Sequence, residues 1–302
     1  MLDKHVVFVT GKGGVGKSTV AAAMGMRAAA EGKRTIICEV AAQHRAAELF
    51  GAEPALFEEV EVAENLWTIS IEPDEALREY VLLQLKVRAM RDLLFRSRVF
   101  TYLAAATPGL RELVTIGKVW EVAQFDRKVR AGRRYDLVIV DAPATGHGIA
   151  FLQTPRMYAG IARVGPIHSQ ALQLDAMVTD HARTGVAIVC LPEEMPVNES
   201  AALEASLRDE VGVAVDHVYM NGIYPKRFSA AQTKTIEGAA GNLDGRARFA
   251  AAAALSEHRR NRTHRAQLAR LRRRVSAPVS TLPFIFEPAL GLDSIRSLGD
   301  RL

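Results

Sequence analysis

Short runs of consecutive apolar, often β-branched residues alternate along the chain with longer stretches of helical periodicity. That alternation predicts a parallel sheet with helices on its faces. The strand-like runs are His5–Thr10, Arg34–Glu39, Leu66–Ile71, Asp136–Val140, Gly185–Cys190, Asp216–Met220 and Val279–Leu282. Leu137–Val140 is apolar at every position, as a strand buried on both faces must be. From Asp74 to Arg133 there is no convincing strand; the stretch reads as helix, broken at Thr107-Pro108-Gly109. Further helical insertions are expected over 156–182 and 228–275, the second interrupted near Gly241–Gly245. No repeat of 20–50 residues and no low-complexity linker divides the chain. The expectation is one α/β unit over 1–302 with helical insertions at about 74–133, 156–182 and 228–275. A separate helical domain is the alternative.

The first run leads into Gly11-Lys12-Gly13-Gly14-Val15-Gly16-Lys17-Ser18-Thr19, and the helical run Ser18–Glu31 follows. This is the pattern G-x-x-x-x-G-K-[ST] in its strand–loop–helix context. Glycines there let backbone N–H groups converge on phosphate oxygens that a Cβ would obstruct. The helix N-terminus adds partial positive charge at the same point. Gly11, Gly13, Gly14, Val15, Gly16 and Thr19 are therefore candidates for holding ATP. Lys17 would pair with the β- and γ-phosphates and the Ser18 hydroxyl would ligate Mg²⁺. The expected fold becomes a three-layer P-loop NTPase with a mostly parallel sheet and an inserted helical subdomain. Lys12 departs from an ordinary loop of this kind, and its position is expected to face away from the Lys17 ammonium. A cation there can reach the phosphates of an opposing subunit, as an arginine finger does in trans, an effect on the order of 10³–10⁵ in rate. A solvated surface lysine is the plain alternative.

Leu137-Val138-Ile139-Val140-Asp141 has the form of a strand ending in a metal carboxylate. Asp141 would hold Mg²⁺ through a water, since this ion dehydrates reluctantly. In the following Ala142–Gly148, Gly146 is the candidate sensor whose free N–H bonds the γ-phosphate. A helix from about Ile149 would carry the movement outward. Glu39 closes the second strand, where a carboxylate can orient an attacking water. His44 and His147 read as surface or turn residues, and no metal beyond Mg²⁺ is expected.

Composition changes this picture little: 49% hydrophobic and 24% charged residues are ordinary for a globular protein. No apolar stretch approaches the roughly 20 residues that span a bilayer, and no secretory h-region precedes the glycine-rich loop. Two cysteines, Cys38 and Cys190, form no disulfide framework or zinc motif. A cytoplasmic protein, at most transiently at the membrane, is expected. The formal charge of +5 is uneven, for residues 226–274 hold thirteen Lys/Arg against Glu237, Asp244 and Glu257. A solvated basic face is the plain reading; nucleic acid, anionic lipid or an acidic partner are alternatives. Phe249 stands alone between Phe228 and Phe284, so stacking platforms are missing and nucleic acid is disfavoured.

Together these residues resemble the arsenical-pump-driving and tail-anchored-protein-targeting ATPases, a deviant-Walker-A branch of the P-loop ATPases, in a compact bacterial form. Gly11–Thr19 is similar to that family's GKGGVGKT/S, with Lys12 at its intermonomer signature lysine. Asp141-Ala142-Pro143-Ala144-Thr145-Gly146-His147 resembles its switch II, D-T-A-P-T-G-H, and Phe151-Leu152-Gln153-Thr154-Pro155 follows similarly. Pro108-Gly109-Leu110-Arg111-Glu112, Val189-Cys190-Leu191-Pro192-Glu193 and Tyr219-Met220-Asn221 are similar to its P-G-I-x-E, V-x-x-P-E and V-V-N, the last with Asn221 at the adenine-reading asparagine. The resemblance implies a Mg-ATPase working as a homodimer, or as a heterodimer with a paralogous subunit. ATP at the interface would drive conformational switching for an unidentified protein client or membrane-transport partner.

The chain departs from the family at switch I, where Glu39-Val40-Ala41-Ala42 stands for D-P-A-H, and in lacking both the C-x-x-C of zinc-bridged homologues and the arsenite-binding cysteines. No zinc is implied. Two other readings stay open. One is a non-hydrolysing, ATP-gated interaction subunit, kept alive by Glu39. The other is a partitioning or positioning ATPase on membrane or DNA, against which Ser294–Leu302 is short, with Ile295, Leu298 and Leu302 expected to pack on the sheet.

Overall fold

A computed structural model of the chain describes residues 1–40, 45–53, 55–84, 106–125, 127 and 134–302. In chain order these form β1 (Val6–Gly11), α1 (Lys17–Ala30), β2 (Thr35–Val40), the short α2 (Arg45–Leu49), β3 (Val60–Ala63), β4 (Leu66–Ile71), α3 (Pro73–Gln84) and α4 (Leu110–Val122). Then come β5 (Leu137–Ala144), α5 (Thr145–Ile161), α6 (Pro166–Thr179), β6 (Thr184–Cys190), α7 (Glu194–Ser206) and β7 (His217–Ile223). The chain closes with α8 (Ala230–Ala239), α9 (Gly245–Arg272), β8 (Val279–Pro283) and α10 (Leu292–Gly299).

The eight strands lie in one sheet in the order β3-β4-β2-β5-β1-β6-β7-β8. Every pairing is parallel except β3 with β4. Parallel strands need crossovers, and helices on both faces supply them. Along β1 the side chains alternate: Val6 and Phe8 join the core under α4–α7, while Val7 and Val9 join the core under α1 and α10. Both faces are buried, which is why the central strands carry almost no polar residue until their C-terminal ends. This is the three-layer P-loop NTPase arrangement expected from the chain's pattern.

Four details differ from the sequence reading. β3 has no sequence signal of its own: it is a four-residue edge strand, only partly buried, with Glu61 exposed. Short edge strands do not need an apolar run. The helix after β5 begins at Thr145 rather than near Ile149 and runs through Pro155 to Ile161. The expected helical insertion at 156–182 therefore spans the end of α5 and all of α6. Ile295 and Leu298 are buried as expected, but α10 reaches that core by packing on α1, where a Cβ on Gly299 would stand 2.9 Å from the Ala23 carbonyl oxygen. Residues 85–105, 126 and 128–133 of the first helical insertion lie outside the described residues, as do Ala41, Ala42 and His44.

Gly11 joins β1 to the loop beyond it. Its φ of +144° is one that side-chain-bearing residues rarely adopt, and a Cβ would sit 2.2 Å from the Val189 carbonyl oxygen of β6. Gly11→Ala should therefore lower stability by roughly 2–4 kcal/mol, from backbone strain plus a forced shift of β6. Denaturant unfolding measures it; an unchanged midpoint would mean that β1 and β6 are not this close.

Candidate functional site

The C-terminal ends of β1, β2 and β5 open into a cleft of about 620 Å³. In parallel α/β sheets this edge, where the strand order reverses, is where ligands bind. Gly13, Gly14, Gly16, Lys17, Ser18 and Thr19 line the cleft from the loop side, and Asp141 through Ala144 line it from β5. The loop turns directly into α1, whose first residue is Lys17, so the unpaired N–H groups of that helix end face the same space. Gly16 has φ of +91°, and a Cβ on it would meet the Asn221 Nδ2 at 2.4 Å. Asn221, in β7, donates from Nδ2 to the Val15 carbonyl oxygen at 3.0 Å. The loop is thus fastened to the far side of the sheet by a contact that only glycine admits.

Strand register brings the carboxylates together. Asp141 lies opposite Val9 on one side and Glu39 on the other. Ser18 Oγ donates to Asp141 Oδ2 at 2.5 Å, and Asp141 Oδ1 is buried with no hydrogen-bond partner. A buried oxygen without a donor is costly, and a hydroxyl beside a half-satisfied carboxylate is the donor set a hard divalent cation takes. These residues fit Mg²⁺. Burial raises the Asp141 pKa, opposed by the Ser18 hydrogen bond and by Lys17 and Arg45. Burial lowers that of Lys17, opposed by Asp141, while Arg45 lowers it further. The Lys17 ammonium donates to the Lys12 carbonyl oxygen at 3.2 Å.

Glu39 is 2% exposed. Its Oε1 accepts from the Ala46 backbone N–H at 2.8 Å. Burial pushes its pKa up to about 7, and the Asp141 charge adds to the rise. The carboxylate therefore anchors the start of α2, the element that carries Arg45 and Glu48 into the cleft wall. Sequence reasoning missed Arg45: no motif marks it, and only the short helix after β2 turns it towards the phosphate loop. Leu290, before α10, also lines the cleft.

Gly146 and Lys12 are not among the residues that line the cleft. Gly146 is an exposed residue in the first turn of α5, where an N–H has no intrahelical acceptor. Lys12 points away from Lys17: its Nζ donates to Glu199 Oε1 of α7 at 2.8 Å and lies against Met195 Sδ. Among the described residues no group of three or more His, Cys, Asp or Glu is placed to hold a metal ion. None of the described helices is long and apolar enough to cross a membrane.

The sequence profile of the anion-transporting ATPase family matches residues 4–170, the stretch that builds the cleft and the first helical layer. ATPase BagA of Mycobacterium tuberculosis is 32% identical over 202 residues, covering 64% of this chain and 57% of that protein. An arsenical pump-driving ATPase of Escherichia coli is 23% identical over 254 residues, 75% of this chain and 41% of that protein. ATPase ARSA1 of Chlamydomonas reinhardtii is 24% identical over 268 residues, 69% and 34% respectively. The match thus spans a little over half of the mycobacterial relative and less of the others.

Glu39 gives the site a pH signature. Because folding raises its pKa from 4.5 to about 7, the folded chain holds this proton more tightly than the unfolded chain. The resulting stability is fully present below about pH 4.5 and is lost as pH rises to about 7. Glu39→Gln, which keeps the acceptor for Ala46, should match the parent near pH 4.5 and exceed its stability by on the order of 3 kcal/mol at pH 8. Thermal unfolding at the two pH values, without nucleotide, is the measurement. A stability gap independent of pH would show that Glu39 ionises normally.

Proposed function

The chain belongs to the anion-transporting ATPase family, and on that premise we propose that it is a dimeric Mg-ATPase whose nucleotide state switches a helical surface. The observation that carries the reading is the Ser18–Asp141 pair beside Lys17 at the mouth of the phosphate loop. Loop N–H groups and Lys17 take the phosphate charge of ATP. Ser18 and, through a water, Asp141 would hold Mg²⁺, which when bound would neutralise phosphate charge. Glu39 orients the attacking water, with a pKa of about 7 suited to accepting its proton near neutrality. Asn221 stands behind the loop for the base. Lys12 belongs to the phosphates of the opposing subunit, either a second copy or a paralogous partner.

The switch runs through α5. Its first turn, with Gly146, lies next to the Asp141 strand end. Three turns on, Tyr158 donates its hydroxyl to the Pro108 carbonyl oxygen at 2.8 Å, at the start of α4. A displacement of the α5 N-terminus therefore moves α4. Between α3, α4 and α6 lies a cavity of about 430 Å³ lined by Leu83, Leu113, Trp120, Ile167 and Leu174 among others. The client element this reading assigns to the cavity is a small apolar one, set between Leu83, Leu113 and Ile167 with Glu79 and Lys118 at its wall.

Glu39 supports a second reading. Its carboxylate is engaged by Ala46, and a chain that binds ATP without hydrolysing it would gate partner assembly only.

Substitutions separate the roles. Lys17→Ala abolishes ATP binding, whereas Lys12→Ala keeps binding and loses turnover and nucleotide-dependent dimerisation; unchanged hydrolysis in the latter removes the trans assignment. Glu39→Gln lowers turnover at least roughly tenfold. A parent protein that hydrolyses ATP no faster than this variant is the gating subunit of the second reading.

A further inference from the structure

The proposed trans lysine is already occupied within its own chain. Lys12 Nζ stands 2.8 Å from Glu199 Oε1, an ion pair whose side chains are 32% and 36% exposed. Met195 Sδ, one turn earlier on α7, lies against the same ammonium. The two partners are 187 residues apart in sequence, so the contact is a product of the fold: β6 lies beside β1, and α7 follows β6 directly.

The position of Glu199 is fixed from behind. Arg270 of α9 donates to Glu194 Oε1 at 3.0 Å and to Asn198 Oδ1 at 3.0 Å. Arg274 also donates to Asn198 Oδ1. Two guanidinium groups thus clamp the first turns of α7, the same turns that carry Met195 and Glu199. The carboxylate is presented to Lys12 by a braced helix rather than by a free side chain on a loop. Lys17, by contrast, has no carboxylate hydrogen-bonded to it among the described residues, only the Lys12 carbonyl oxygen. One lysine of the loop is kept available for the nucleotide of its own subunit, and the other is held aside.

We propose that Glu199 is a positioning residue that holds Lys12 in the isolated subunit and competes for it with the triphosphate of the opposing subunit. This rests on the trans role of Lys12. In an assembled pair the ammonium exchanges one carboxylate for phosphate oxygens bearing several negative charges, so the nucleotide, and not mere contact between surfaces, decides which partner it takes. Without nucleotide the lysine stays on Glu199, and two like-charged loops are not driven together. Glu199 then sets the threshold at which nucleotide assembles the pair. A half-exposed ion pair contributes roughly 0.2–1 kcal/mol, so the threshold is modest.

The test is a double-mutant cycle on full-length protein with Lys12→Ala, Glu199→Gln and the double variant. Dimerisation is followed by sedimentation with Mg²⁺ and a non-hydrolysable ATP analogue, with the natural partner present if the protein is a heterodimer. Glu199→Gln should tighten nucleotide-dependent dimerisation about 1.4- to 5-fold for each Lys12–Glu199 pair released, the ratio equivalent to that ion-pair energy. It should also speed modification of Lys12 by an amine-selective acylating reagent, read by mass spectrometry in the isolated subunit. Placed on Lys12→Ala, Glu199→Gln should change dimerisation no further. Equal dimerisation or weaker dimerisation in Glu199→Gln overturns the proposal, as does a tightening that persists without Lys12. If Lys12→Ala alone leaves dimerisation and turnover intact, the trans reading fails first. The acylation rate still reports whether the pair forms.

Discussion

The site depends on the register in which β5 lies between β1 and β2. That register sets Asp141 beside Val9 and Glu39, two residues before β1 ends at Gly11 and gives way to the phosphate loop. Because all three strands are parallel, their C-terminal ends fall at one edge of the sheet, and a loop leaving β1 there must cross in front of Asp141. Ser18, the second residue of α1, then meets the carboxylate without any further device. A slip of one residue in β5 would turn Asp141 to the opposite face. The buried apolar residues on both sides of β5, from Leu137 to Val140, hold it in place.

The same geometry assigns different environments to chemically similar groups. Lys12 and Lys17 are five residues apart, yet one is turned to α7 and the other towards its own phosphate cleft. Asp141 and Glu39 are neighbours across one strand pair, yet one has a buried oxygen with no hydrogen-bond partner and the other accepts from the first turn of α2. Burial raises both carboxyl pKa values. The Ser18 hydrogen bond, then Lys17 and Arg45, oppose that rise at Asp141, and at Glu39 the backbone N–H groups of Ala46 and Arg45 do. Two adjacent carboxyl groups perturbed by burial beside one cleft are a mark of functional sites.

Most of the central sheet was legible in the chain because its strands are buried on both faces and read as unbroken apolar runs. The phosphate loop was legible because backbone convergence on phosphate demands glycine at fixed spacing. The rest depended on contacts across the fold. β3 is an edge strand with a wet face. Arg45 carries no motif, and only the short helix after β2 aims it at the cleft. Pro143 and the two glycines read as a turn and so suggest a late start for α5, whereas β5 runs on to Ala144 and the helix begins at the next residue. The Lys12–Glu199 pair joins residues that no local pattern connects. Asn221 was legible as a candidate for base recognition, but its bond to the Val15 carbonyl oxygen was not.

Since the account rests on Ser18 and Asp141 acting as one cation-holding unit, the most direct test is the Mg²⁺-dependent part of ATP affinity. Calorimetry on Ser18→Ala, Asp141→Asn and the double variant, each with and without Mg²⁺, measures it. A single unit predicts that either substitution removes most of the Mg²⁺ contribution and that the second removes little more. Independent, additive losses would contradict it.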